Sequence, residues 1–175
     1  EPSAFPEILD LTRETLSLKK GLGFRDVKLI MITNGSGLGR EECRSALTLL
    51  FQDGGEVWAK LDAGTEGYYQ TICRTPVAFD KILKNLLITS QAFPMTIQTC
   101  FMNLNGRPPS GEEISAYCGR LFSIKENNGQ IRLVQLYTVA RKPAELFVSP
   151  LTDKELEMIA EKVRKETGLP VETFV

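Results

Sequence analysis

The chain has 175 residues, 42% of them hydrophobic and 25% charged, with a formal net charge of −1. That length suits one globular domain with a sizeable core, and the near-neutral balance gives nucleic acid no electrostatic foothold as a partner. No apolar run approaches a membrane span, no signal peptide is visible, and no histidine is present, which removes imidazole metal sites, Ser-His-Asp triads and the commonest general base.

Glu1-Pro2 opens the chain with no preceding Met and reads as the exit from a strand lying upstream, so the chain is expected to be part of something larger. Residues 5–20 carry Ile8, Leu9, Leu11, Leu16 and Leu18 and stop at Gly21, which predicts a helix with a glycine end. VKLIMIT (27–33) predicts a short strand covered on both faces. TNGSGLGR (33–40) follows it with small residues that let backbone N–H groups approach an anion. The stretch resembles a dinucleotide fingerprint, with Asp62 where a ribose-binding acid would sit. Its glycines at 35, 37 and 39 miss the GxGxxG spacing, and a plain βα turn accounts for it as well.

Residues 40–52 return to helical spacing and meet Gly54-Gly55; VWAKLD (57–62) predicts the next strand. Lys60 and Asp62, two apart, share a face there. They read either as a cation for a substrate carboxylate with an orienting acid, or as a mutual ion pair near the surface. After a polar link over 63–75, Thr75-Pro76 predicts a helix start. MTIQTCFMN (95–103) predicts a strand with Thr96, Gln98, Cys100 and Met102 on one face, which suits a lined cavity or, for Gln98, interior hydrogen bonding. Ser110 and Glu113 form a capping-box pattern for a helix ending near Gly129. IRLVQLYTV (131–139) predicts a strand that aligns Gln135, Tyr137 and, just beyond it, Arg141, a residue suited to bidentate contact with carboxylate or phosphate. ELFVSPL (145–151) reads as a lid, as a contact with missing sequence, or as a loop folded back on the helices. Thr152 and Glu155 make a second capping box, whose helix stops at Gly168 before a short last strand at 171–175.

The order αβαβαβαβαβ predicts a parallel sheet in a single domain over 1–175. Links from helix to strand are short, whereas those from strand to helix (34–39, 63–75, 104–109, 140–151) are long and polar. That asymmetry places a site at the carboxyl ends of the strands. Cys43, Cys73, Cys100 and Cys118 show no CxxC spacing and read as separate thiols in a reducing cytoplasm.

Taken together, the order of features resembles a radical S-adenosylmethionine domain of the activating-enzyme and molybdenum-cofactor-synthesis kind. Glu1-Pro2 matches the last two positions of that family's Gly-Gly-Glu-Pro-like motif, Thr33-Asn34-Gly35 its third strand end, and Lys60-Leu61-Asp62-Ala63 its fourth, where many relatives have Ser at the place of Lys60. The resemblance implies a parallel-stranded partial (β/α)6 TIM-like barrel, truncated at its N-terminus, acting as an oxidoreductase. It also implies a [4Fe–4S] cluster held by an upstream CxxxCxxC loop, with reductive cleavage of S-adenosylmethionine to a 5′-deoxyadenosyl radical. On this reading the chain lacks the redox centre and is inactive alone. Glu1 would meet the methionyl amino group, and Thr33, Asn34 and Lys60 the methionyl carboxylate or ribose. Asp62, Gln98, Gln135, Tyr137 and Arg141 would line the same mouth, with Lys60 and Tyr137 the catalytic candidates. The substrate would be a small molecule or a protein, and the exposed sheet edge would favour self-association. Two alternatives stand beside it: an aldolase using Lys60 as a Schiff base, and a non-catalytic nucleotide-binding module.

Overall fold

The computed structural model describes all 175 residues. A short 3-10 turn at Pro2–Ala4 leads into α1 (Ile8–Gly21), β1 (Ile30–Thr33), α2 (Glu41–Gln52) and β2 (Glu56–Lys60). Then come α3 (Glu66–Cys73), α4 (Phe79–Ala92), β3 (Met95–Cys100), β4 (Asn103–Leu104) and α5 (Gly111–Glu126). The chain closes with β5 (Ile131–Tyr137), β6 (Val148–Ser149), α6 (Asp153–Thr167) and β7 (Val171–Phe174).

Five strands form one sheet in the order β1-β2-β3-β5-β7, every pair parallel. The spatial order follows the chain without reversal. With right-handed crossovers, that puts every connecting helix on one side. Burial shows the consequence. Met31, Val57, Ala59, Ile97, Val134 and Leu136 are buried beneath the helices. The opposite face carries Ile30, Ile32, Trp58, Lys60, Gln98, Gln135, Tyr137 and Phe174 and has no helix on it. Ile30 is 38% and Ile32 47% exposed. This corrects the expectation that 27–33 is covered on both faces, which would have required a helix layer on each side. No helix is long and apolar enough to cross a membrane.

Other differences have local causes. The strand foreseen from residue 27 starts at Ile30, opposite Glu56; the Glu56 N–H donates to the Leu29 carbonyl at 3.0 Å, and Lys28 reaches the Glu56 carboxylate with its side chain at 2.5 Å. The link over 63–75 holds α3, capped by Thr65, whose hydroxyl accepts the Tyr68 N–H at 3.2 Å. Thr75-Pro76 does not start α4: the Thr75 hydroxyl accepts the Val77 N–H at 3.2 Å in a tight turn, and the helix begins at Phe79. Residues 103–104 leave the main sheet and pair with 148–149 in a two-stranded antiparallel ribbon, so ELFVSPL is tied down at one end while Leu146 stands 97% exposed. The Thr152–Glu155 capping box forms completely. The Ser110–Glu113 box forms by half: Ser110 caps the Glu113 N–H, but the Glu113 carboxylate turns away to the backbone after β2.

At the amino end of the bare face, Glu56 is buried and ion-paired with Lys28 and Arg132, and it accepts the Trp58 indole N–H at 2.8 Å. Although burial opposes ionisation, those three donors pull its carboxyl down to about 2 from an ordinary 4.5. The stabilisation is therefore complete above pH about 4.5 and is lost as pH falls toward about 2. Urea unfolding of Glu56→Gln is expected to show a loss of about 1–2 kcal/mol at pH 7, reduced because both cations are half-exposed and screened. The variant's stability should also fall less steeply than the parent's between pH 4.5 and 2.

Candidate functional site

The site is assembled at the carboxyl ends of β1, β2, β3 and β5. Glu1 is brought to the end of β1 by the turn at Pro2–Ala4. Its Oε1 accepts the Ser3 N–H at 3.0 Å and the hydroxyls of Ser3 and Thr33, and its Oε2 accepts the Asn34 N–H at 2.8 Å. Burial raises the Glu1 carboxyl, but these bonds outweigh it and hold it below its ordinary value. Oε2 keeps one open lone pair, so the carboxylate can take one more donor.

The glycine-rich turn after β1 is occupied by this same segment. Ser3 Oγ accepts the Gly37 N–H at 3.0 Å, and a Cβ on Gly37 would strike the Ser3 backbone carbonyl. Arg40 fixes the segment further through the Ala4 and Phe5 carbonyls at 2.9 and 3.1 Å. The turn's backbone therefore cradles its own chain, not a phosphate, and the dinucleotide resemblance has no structural counterpart.

Beyond the end of β2 the backbone stays hooked to β3. The Leu61 N–H donates to the Gln98 carbonyl at 3.1 Å, Thr99 Oγ1 to the Leu61 carbonyl at 2.9 Å, and the Cys100 N–H to Asp62 Oδ1 at 2.8 Å. Asp62 consequently sits beside Lys60, with Nζ 3.4 Å from Oδ1. Lys60 also donates to the Tyr137 hydroxyl and lies 5.0 Å from that ring's centroid. The Lys60 and Asp62 side chains are 29% and 15% exposed, so the ion pair is partly desolvated. Burial raises the Asp62 carboxyl, with Lys60 opposing it. Burial works to lower Lys60, but Asp62 and Tyr137 prevail and hold it above its ordinary value as an ammonium.

A cavity of about 220 Å³ opens beside this pair, lined by Asn34, Ser36, Lys60, Asp62 and residues of α3 and the turn after it. A second, of about 370 Å³, lies on the bare face against Trp58, Gln98, Gln135, Tyr137 and Phe174. The structure thus lines the first cavity with Asn34, Lys60 and Asp62, holds Glu1 and Thr33 together beside Asn34, and gathers Gln98, Gln135 and Tyr137 at the second cavity, the two being joined through Lys60 and Tyr137. Arg141 is exposed and lines neither cavity, because the chain leaves the sheet after Tyr137. Tyr69 and Cys73 on α3 line the first cavity without having been foreseen. Their signal was the 68, 69, 72, 73 apolar spacing behind Thr65-Glu66. Trp58 was legible by its two-residue step from Lys60.

No group of three or more His, Cys, Asp or Glu side chains comes together to hold a metal ion. The four cysteines are free, and burial pushes each thiol up, Cys73 and Cys100 to about 11 with Asp62 adding to the rise. Protonated, dispersed thiols do not fit an iron–sulfur cluster.

Fold and site define an α/β protein with a five-stranded parallel sheet, helices on one face, and a polar mouth at the strand carboxyl ends. No protein-family model and no curated protein matches the chain. Among solved structures, it matches SuiB of Streptococcus suis, determined bound to S-adenosylmethionine, with a TM-score of 0.68 at 15% identity. The match covers 100% of this chain and 38% of that one, so the chain spans well under half the length of SuiB. At that identity the likeness is one of fold.

Proposed function

We propose that this chain is the cofactor- and substrate-lining part of a radical S-adenosylmethionine enzyme, built as a portion of a partial (β/α)6 barrel with the bare sheet face as its lumen. The observation that carries the reading is the rim: Asn34, the Lys60 ammonium and Asp62 line one cavity, and the Glu1 carboxylate, with one free acceptor position, is tied to its edge by the Asn34 N–H at 2.8 Å. An amino acid-type headgroup, carrying an amino group and a carboxylate, finds complementary charges there. The SuiB likeness supports the reading, since that protein was determined with this ligand, as do the Glu1-Pro2, Thr33-Asn34-Gly35 and Lys60 to Ala63 motifs. A [4Fe–4S] cluster supplies the electron for cofactor cleavage in such enzymes. Its ligands are not among these residues, so what the chain contributes is binding, orientation and exclusion of water.

Calorimetry tests this. S-adenosylmethionine should give a saturable heat with a dissociation constant on the order of 0.1–1 mM, and NAD none. Absence of any heat with S-adenosylmethionine at several millimolar would contradict the reading. The aldolase alternative fares worse, because a Schiff-base lysine needs its pKa lowered, whereas Lys60 is held as an ammonium by Asp62 and Tyr137.

A further inference from the structure

The 370 Å³ cavity on the bare face has a chemistry of its own. Trp58, Tyr137 and Phe174 supply flat apolar walls; Gln98, Gln135 and Thr138 supply the polar atoms; no charged side chain lines it. The Thr138 hydroxyl accepts the Leu151 N–H at 2.8 Å and keeps its own O–H as a donor. Gln98 and Gln135 stand directly opposite each other on β3 and β5, and Gln98 Nε2 donates to Gln135 Oε1 at 3.0 Å.

That single bond leaves Gln98 Oε1 and Gln135 Nε2 wholly unused, the one an acceptor and the other a donor, while Gln98 Nε2 keeps a second N–H and Gln135 Oε1 a second lone pair. Turning both amides over exchanges the roles and again leaves one acceptor beside one donor, so the result does not depend on how the amides are oriented. Neither atom is among the occluded, unpartnered polar atoms, which are Tyr68 Oη and Asn103 Oδ1 alone. Gln135 is only 7% exposed, so its free N–H has the cavity to face and little else. A buried polar pair left half-used in this way selects against ligands that cannot complete it.

We infer that this cavity binds a flat, neutral group whose edge presents a donor and an acceptor side by side, a primary carboxamide or a ring lactam, packed against Trp58, Tyr137 and Phe174. A carboxylate or phosphate offers acceptors only and leaves the free glutamine carbonyl oxygen without a donor. A trans peptide bond points its N–H and C=O in opposite directions and satisfies one glutamine, not both. The inference rests on the proposed function only in taking this cavity as the substrate side of the shared mouth.

Trp58 is the chain's sole tryptophan and lies in the wall, so its fluorescence reports occupancy directly. The probes are benzamide, benzoate and N,N-dimethylbenzamide, which share a ring and differ in the edge. Benzamide should change Trp58 emission saturably and bind about tenfold or more tightly than either of the others, the worth of one or two hydrogen bonds. In Gln135→Leu the preference should shrink to roughly threefold or less. Equal binding of all three probes, or no saturable response to benzamide, would overturn the inference, and the unsubstituted chain alone suffices for that comparison. Discrimination without any S-adenosylmethionine heat would sink the cofactor reading and leave this one standing; heat without discrimination would do the reverse.

Discussion

Replacing Gly64 by Ala is expected to lower stability by about 3 kcal/mol and the melting temperature by roughly 6–12 °C. A Cβ at Gly64 would meet the Tyr117 backbone nitrogen, the Glu113 carbonyl oxygen and the Ala116 carbonyl carbon, all main-chain atoms of α5 that no rotamer change can move. The same approach lets the buried Glu113 carboxylate accept the Gly64 N–H, the Thr65 N–H at 3.1 Å and the Thr65 hydroxyl at 2.6 Å, while Arg120 donates to the Gly64 carbonyl at 3.0 Å. Pushing the loop off α5 would strand those donors and the carboxylate together, each a costly loss in a dry setting. Thermal unfolding followed by circular dichroism checks it. A change below about 1 kcal/mol would mean that the loop docks on α5 more loosely than described. Because this loop follows Asp62 directly, an Ala variant that still folds should also weaken ligand binding at the mouth.

Asp62→Asn is expected to lower the Lys60 pKa from its value in the parent. Burial lowers Lys60 most, while the Asp62 charge, the Tyr137 hydrogen bond and charge, and Cys100 raise it. Removing the Asp62 charge deletes the largest of the raising influences, so Lys60 should become a more reactive amine in reductive methylation than it is in the parent. The linkage follows. In the parent, the raised Lys60 contributes stability that is complete below its ordinary value of 10.5 and is lost as pH rises through the folded value. In Asp62→Asn that alkaline loss should diminish. Isotope-edited titration of the lysine side chains reads both results, and an unchanged Lys60 would show that the ion pair is not what holds its charge. Cost to stability should be modest, about 1–2 kcal/mol, since the pair is only partly buried.

What the sequence made legible was periodicity and punctuation. The strands at 95–100 and 131–137 and the helix behind Thr152 stand where apolar spacing and the capping box put them, because local patterning decides them. Lys60 and Asp62 were readable as a pair from their two-residue step. What stayed hidden was where long-range contacts override local signals. Glu113 looks like a capping-box partner, yet a loop 49 residues away takes its carboxylate. Thr75-Pro76 looks like a helix start, but α3 and its turn take up that stretch. The strand 27–33 looks fully buried, since β-branched residues do not reveal that helices lie on one side only. Arg141 looks like an anion ligand only while β5 is imagined to continue past Tyr137.

We propose that the mouth at the ends of β1 and β2 receives S-adenosylmethionine. Its most direct test follows the same ligand titration residue by residue through backbone amide shifts. Saturable shifts should concentrate at 33–36 and 60–63, with a smaller response along α3. Shifts confined to α5 and α6, or none at all at saturating ligand, would contradict it.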